Sequence, residues 1–576
     1  MTLSSTFDRR HGCWQVQHGP HPAHRCRIQG PPSALFAWTF LPKTRSPGIS
    51  LNFRPRRVHF TFRVNMPSFG HLHVHWTVVV AVLLLLLLLY VTAGVVYRLY
   101  FSPLAKFPGP RLAAATLWYE AYYDVIKGGQ YTFKIKELHQ KYGPIVRISP
   151  HELHIDDPDY YEVLSSRTSP RNKYQYYVDQ FGLPGSSFSA VDHRLHRLRR
   201  QPLNLLFSKA SIIRLEPTIN SIIENLCHRL DEFKKSGQPV PIRLAYQCLA
   251  TDVVTLYSFN KSWNYLDDPD FAPNWCETVK ATADMGHTTK QFPWLFPVLE
   301  ALPDSAVAAV FPGMLLLLNW RRSLAAHIQK SIDSNAKGED IGGELPRSIF
   351  QSLLESNIPK EEKTLLRLTQ EGQVVVGAGA DTTGNVLTIT TFHLLSNPDI
   401  LAKLRKELEE AMPNQFQPAK LSVVENLPYL TAVVNEGLRL SYGLSTRLAR
   451  IAPNEVLQYK DWAIPAGTPV GMTSVLMHHN ETIFPDSYTF NPNRWFDQPD
   501  GGRALERYLV SFGKGSRQCI GMNLAKAEIY LTLATLFRRY NMTLHDTIRS
   551  RDIDLKYDGF LPQPGPESRG VRVIFS

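Results

Sequence analysis

The stretch "WTVVVAVLLLLLLLYVTAGVVY", Trp76 to Tyr97, limits this chain more than any other feature, because it runs for more than twenty residues without a charge. About 20 apolar residues span the hydrocarbon of a bilayer at 1.5 Å rise per residue. A cleaved signal peptide has a shorter apolar region and a small-residue cleavage site, neither of which is seen here. A buried core helix is the other reading, and the length argues against it. Trp76, Tyr90, Tyr97 and Tyr100 stand near the ends, where aromatic side chains favour the water interface. The segment is predicted to be a single transmembrane helix, about 76–97, within a membrane anchor covering 66–102.

Residues 1–65 carry ten Lys or Arg against one acid, Asp8, so most of the chain's formal charge of +12 lies there. The basic balance therefore reports this leader and gives no reason to expect a nucleic-acid partner. Counted from Met66, the apolar run is followed but not preceded by cationic residues, which places the amino end in the lumen and the rest in the cytosol. Counted from Met1, Arg54 to Arg63 oppose that orientation. Residues 1–65 are read as an upstream gene-model extension or a disordered leader, with an Arg-rich transit segment as the alternative.

After the anchor, "YFSPLAKFPGPRLAAAT" carries Pro103, Pro108 and Pro110 and is predicted to be a stiff, non-helical connector. Residues 103–576 then read as one large domain, mainly helical, of α+β class with small β-sheets. "GGQYTFKIKELHQKYG" is an amphipathic helix ending at Gly143, and "GPIVRISPHELHID" alternates like a strand pair. "SIIRLEPTINSIIENLCHRLDEFKKSG" is a helix with a terminal glycine, Gly237. "NPDILAKLRKELEEAM" and "NLAKAEIYLTLATLFRRY" are further helices.

The six cysteines, Cys13, Cys26, Cys227, Cys248, Cys276 and Cys519, form no C-x-x-C, so neither paired zinc ligands nor a c-type haem attachment is indicated. Cys519 alone sits in a basic, glycine-bent loop, "FGKGSRQCIG". Gly515 and Gly521 permit backbone conformations and close approaches that a Cβ forbids. A helix begins just behind the sulfur, and its amino end together with Arg517 favours a thiolate. On spacing alone an ordinary buried cysteine, a nucleophile and a metal thiolate all remain open. The complete pattern Phe512-x-x-Gly515-x-Arg517-x-Cys519-x-Gly521 resembles the haem-binding loop of the cytochrome P-450 family. By that resemblance Cys519 is the axial ligand of haem b (iron protoporphyrin IX), Arg517 meets a haem propionate and Phe512 packs near the sulfur.

Further motifs follow in the family's order. "AGADTT" lies in an apolar run, Val374 to Leu395, where Asp381 needs a reason to be buried; unaided, this reads equally well as a core helix with a capped acid. It resembles the family's central helix, where a local distortion makes room for dioxygen. The resemblance gives Thr382 the hydrogen bond to activated dioxygen and Asp381 the relay of protons. Glu436 and Arg439 in "NEGLR" share a helix face, ordinarily a surface pair. With "FNPNRW" they resemble the family's E-x-x-R helix and the segment that brings Arg494 onto Glu436, a structural network. "HRLRR" offers Arg200 to a propionate, with His196 where the family usually has tryptophan. In "STRLAR", Arg450 is favoured over Arg447 as another propionate partner.

The resemblance implies a membrane-anchored, microsomal-type monooxygenase. It would lie in the endoplasmic reticulum membrane with a cytosolic catalytic domain, fed by NADPH–cytochrome P-450 reductase, with cytochrome b5 as an optional donor. Several stretches are similar to filamentous-fungal enzymes of secondary metabolism, trichodiene-oxygenase-like ones among them. An apolar terpenoid substrate is expected, with a polyketide as the alternative. Pocket candidates are Tyr174 to Ser187, Val375 to Ala378, and Leu444 to Thr446. A reductase-independent rearranging enzyme and a haem sensor are the other functional readings.

Overall fold

The apolar run forms one helix, α1 (Phe69–Val96), in a computed structural model that describes residues 69–337, 347–496 and 503–576. The expected leader, 1–65, lies outside the described residues. Among the described residues Trp76–Phe101 is one segment long and apolar enough to cross a membrane, and its surface is not buried. The chain from Val79 to Ser576 makes one compact unit. Within it the end of the apolar segment is tied down: Arg147 donates to the Arg98 carbonyl at 2.8 Å, and Arg98 donates to that of Ala115 at 2.8 Å.

The connector differs from expectation. Arg111–Ala115 is a short helix, because Pro110 can precede a helix at no cost in donors while Arg-Leu-Ala-Ala-Ala are strong helix formers. The Pro108 carbonyl accepts from Arg147 N at 2.7 Å, which fixes the connector to the first strand of the domain.

The longer helices that follow are α2 (Tyr131–Tyr142), α3 (His193–Leu206), α4 (Lys209–Ser236), α5 (Ile242–Phe259), α6 (Pro273–Gln291), α7 (Pro312–Lys337), α8 (Leu365–Leu395), α9 (Pro398–Ala411), α10 (Pro428–Leu440) and α11 (Met522–Arg539). Their ends follow local chemistry. Asp192 caps α3 by accepting from Arg194 N and Leu195 N. Gly237 ends α4 with φ of 67°, a left-handed turn that suits glycine. α5 is nearly all buried and lies against α8. Gly384 makes that close approach possible, since a Cβ there would lie 3.1 Å from Gln247 N.

The strands are short. β1 (Ile145–Arg147), β2 (Leu153–Ile155), β3 (Asn172–Lys173), β4 (Val240–Pro241), β5 (Arg450–Ile451), β6 (Leu457–Tyr459), β7 (Trp462–Ile464), β8 (Pro469–Gly471), β9 (Met542–Leu544), β10 (Tyr557–Gly559), β11 (Leu561–Gln563) and β12 (Arg572–Phe575) make four sheets. The largest runs β1-β2-β8-β5-β3, with β2 and β8 parallel and its other pairs antiparallel. This sheet carries Lys173 and Arg450 in register with each other. The expected mainly-α fold with small sheets is what forms.

Candidate active site

Cys519 sits in a loop closed by its own backbone: Cys519 N donates to the Phe512 carbonyl at 2.8 Å, and Gln518 N to that of Gly515 at 3.2 Å. Gly515 has φ of 73°, and a Cβ there would come within 1.6 Å of the Ser165 carbonyl oxygen, so only glycine fits. Gly521 differs from expectation. It has φ of −80° with open space where a Cβ would go, so the polypeptide alone gives no steric need for glycine there.

The Cys519 side chain is accessible, yet enough protein surrounds the thiol that burial pushes its pKa up. The sulfur therefore faces an internal space. The Gly521 N–H and the Arg200 guanidinium pull the other way. Arg517 does not act on the sulfur as expected; its guanidinium turns away and donates to the carbonyls of Ala190 at 2.6 Å and Val191 at 2.8 Å. The protein by itself holds a thiol, and a bound metal cation would make it a thiolate.

Around this space lies an excess of buried positive charge. Lys173 and Arg450 face each other across β3 and β5, an arrangement of like charges that costs stability. Lys173 donates to the Phe188 carbonyl, and Arg450 to those of Leu448 at 3.0 Å and Ala449 at 3.3 Å. Arg200 reaches only Asn204, at 3.1 Å. None of Lys173, Arg200, Arg450 and Arg517 pairs with an acid among the described residues. Burial, reinforced by Arg450 and then Arg200, brings the Arg517 pKa down to about 9, and burial with the three arginines holds Lys173 well below the ordinary lysine range. Burial beside Arg517 and Lys173 takes His196 down to about 2, so its imidazole is neutral. Such a cluster needs anions. A flat group bearing two carboxylates, with a metal over the sulfur, matches this donor set.

Arg447 behaves differently. It is fully buried against Glu152, with contacts of 3.1 Å, and against Glu120, at 2.8 Å. Glu120 also holds Lys290, at 2.6 Å, and Lys290 reaches Asp124 at 2.8 Å. Arg447 is thus already neutralised, which leaves Arg450 as the free cation of the two.

On the other wall, α8 presents Ala378 exposed and Thr382 half-buried along a mostly buried helix. No break occurs at "AGADTT": α8 is continuous, and the Thr382 hydroxyl donates back to the Ala378 carbonyl at 2.8 Å. Asp381 is buried because Arg243, from the start of α5, pairs with it at 3.2 Å. Two of the pocket candidates meet α8 or its neighbours. Gly185 N donates to Gln370, Ser187 donates to Glu371 through N at 3.0 Å and Oγ at 2.6 Å, and Ser445 N donates to the Phe560 carbonyl at 3.2 Å.

A family model described as cytochrome P450 matches residues 112–568. The chain belongs to the cytochrome P450 family. It is 55% identical to cytochrome P450 monooxygenase MO6277 of Ascocoryne sarcoides over 84% of this chain and 96% of that one. It is 46% identical to tryptophan 6-hydroxylase fscE of Fusarium equiseti (83% and 93%), and 39% identical to cytochrome P450 monooxygenase TRI4 of Trichoderma arundinaceum (83% and 91%). It is therefore a haem-thiolate P450 monooxygenase of an apolar small molecule, with haem b as its cofactor and a P450-type reductase implied as its electron source.

In this P450 the expected structural network is complete. Glu436 accepts from Arg439 Nη2 at 2.7 Å and Nε at 2.9 Å, from Arg494 Nε at 3.1 Å, and from Asn491 N at 2.9 Å. Trp495 Nε1 adds a bond at 2.8 Å that sequence reasoning did not assign. His478 closes a short helix, Ser474–His478, and is structural: Nδ1 donates to the Arg439 carbonyl at 2.8 Å and Nε2 accepts from Val510 N at 3.0 Å.

Lys173 and Arg243 were also missed. Lys173 lies in a two-residue strand, too short a signal to read, and the partners lie far along the chain. Lys173→Met is expected to raise the melting temperature of the apoprotein, by removing the cation opposite Arg450. It should also speed haem loss on the order of 10-fold, the value of a hydrogen bond to a charged group. Thermal unfolding of the apoprotein and haem transfer to an acceptor protein measure the two effects, and a fall in both would remove Lys173 from the site.

Proposed function

We propose that this P450 hydroxylates an apolar, ring-built secondary metabolite at the endoplasmic reticulum membrane, with its catalytic domain in the cytosol and electrons from NADPH–cytochrome P450 reductase, cytochrome b5 serving as a second donor. The observation that carries the reading is the pairing of an accessible thiol, Cys519, with four buried or half-buried cations that pair with no acid among the described residues. Cys519 would be the axial ligand. Lys173, Arg200, Arg450 and Arg517 would hold the two propionates, with neutral His196 beside them. Haem b supplies activation of dioxygen. Asp381 and Thr382 would hold and pass protons, while the fully buried acid–base network at Arg447 and Lys290 keeps the surrounding segments in place.

The apolar character of the substrate is supported by three half-buried rings. Phe181 meets Phe560 edge-on at 4.9 Å, and Phe188 meets Phe560 at 6.2 Å. Outside, Trp118 is 67% exposed and touches Phe292 at 5.9 Å, while Ile126 and Trp294 nearby are 73% and 61% exposed. Exposed apolar surface of this kind favours contact with lipid, the phase in which an apolar substrate accumulates.

A terpenoid scaffold is the first choice, from the trichodiene-oxygenase resemblance. An indole is the second reading, favoured by the rings at Phe181, Phe188 and Phe560 together with the 46% identity to a protein named tryptophan 6-hydroxylase. Reconstitution with reductase and NADPH, against a panel of sesquiterpenes and N-acyl tryptophans, separates them. NADPH use matched by oxygenated product is expected for one class. Tight binding without any substrate-dependent NADPH oxidation would instead make the protein a haem-containing sensor.

A further inference from the structure

We infer that a cavity behind the Cys519 loop is an effector site for a small amphipathic carboxylate carrying a second polar group, and that its occupant is sensed at the haem. The cavity holds about 430 Å³ of water-accessible space, within the ~300–1,000 Å³ common for small-ligand sites. It lies between α10, the loop from Phe512 to Gln518, the start of α11 and the 162–167 segment. Neither Cys519 nor any residue of α8 lines it, so it is distinct from the space that the sulfur faces. The inference takes the haem at Cys519 as given and is independent of the substrate class proposed above.

Helix periodicity builds the site. Glu436 and Arg439 share the face of α10 that holds the buried network, whereas Asn435 and Leu438, one position earlier, share the face toward the cavity. Met522 and Lys526 stand one turn apart on α11 and line it together. Leu438, Leu509, Phe512 and Met522 supply apolar wall. Asn435 is the residue that points to a ligand. It is only 7% exposed, yet its side-chain amide has no hydrogen-bond partner among the described residues. A buried polar group left unpaired costs stability, and a hydroxyl or carbonyl on an occupant would meet this one.

The charges around the cavity set the sign of that occupant. Lys514 is already taken by Glu162 at 3.0 Å. Arg167 and Lys526 make no ion pair among the described residues, and of the acids lining the cavity only Glu506 is likewise unpaired. Two free cations against one free acid favour a ligand with a single negative charge. The apolar wall asks for a hydrocarbon body, and Asn435 for a second polar group. Sensing follows from the loop. The Phe512 carbonyl accepts from Cys519 N at 2.8 Å, and Gln518 directly precedes the cysteine, its side chain reaching only the Met522 sulfur at 3.5 Å. An occupant resting on Phe512 and Gln518 therefore bears on the loop from both sides of Cys519.

The test uses the haem-loaded enzyme without reductase and ω-hydroxydecanoate as the probe, with decanoate and decanol each lacking one of its polar ends. Calorimetry is expected to show binding that is roughly 10-fold weaker for either control, accompanied by a shift of the Soret band. Lys526→Met should abolish the preference over decanol, and Asn435→Leu the preference over decanoate. Both variants should keep the wild-type reduced carbon monoxide spectrum; if Asn435→Leu loses haem, Lys526→Met decides alone. A crystal soaked with the probe should show it against Asn435 and Lys526. Preferences unchanged in the variants, a probe found only on the α8 side of Cys519, or a cavity holding nothing but water overturns the site. Binding in the cavity with no change in the Soret band overturns the sensing.

Discussion

Cys519→Ser is expected to leave a folded protein that has lost its thiolate spectrum and its turnover. The loop does not depend on the sulfur for its shape. It is closed by Cys519 N on the Phe512 carbonyl, and Gly515 is fitted against the Ser165 carbonyl. Because the side chain faces an internal space rather than packed core, the exchange should shift apoprotein stability by no more than about 1 kcal/mol. The chemistry is another matter. A serine hydroxyl stays protonated where a thiol ionises, and it lacks the electron donation that favours O–O cleavage. Burial already pushes the Cys519 thiol up, so the site depends on iron to draw the proton off. The measurements are the reduced carbon monoxide difference spectrum, haem content and product formation. Unchanged pigment, spectrum and turnover would falsify the assignment of Cys519, and with it the haem site.

What could be read in the sequence follows from how local each constraint is. The Cys519 loop was legible because glycine, arginine and cysteine are needed within ten residues of one another, and the α10 network because Glu436 and Arg439 share one turn of helix. The helices at α4 and α11 were legible from periodicity and terminal glycine or basic residues. Side chains whose partners are distant were not. Lys173 meets Arg450 from another part of the chain, and Arg243 meets Asp381 from 138 residues away. Nothing near Lys290 announces that it neutralises Glu120 and Asp124. Motif reasoning also overreached where it imported a shape. α8 runs unbroken through "AGADTT", with Thr382 bonded back to the Ala378 carbonyl.

Glu436→Ala should be the most damaging change away from the pocket. The carboxylate is fully buried and accepts five hydrogen bonds, from Arg439, Arg494, Trp495 and Asn491. Its loss strands two guanidinium groups that are at most 8% exposed. Breaking a buried ion pair by removing one partner costs roughly 3–5 kcal/mol, a large part of the ~5–15 kcal/mol that holds a typical domain together. The damage should reach the haem loop by a short route. His478 joins the Arg439 carbonyl to Val510 N, and Ser511 Oγ donates to the Leu438 carbonyl at 2.6 Å, so α10 holds the strand of chain that leads into Phe512. Glu436→Ala is therefore expected to give little soluble, haem-loaded protein. Ser511→Ala removes a single link of about 1 kcal/mol and should keep the fold while loosening haem retention. Denaturant unfolding and haem transfer measure the two separately. A Glu436→Ala protein with an unchanged unfolding midpoint and full haem content would show that the loop is held by something other than this network.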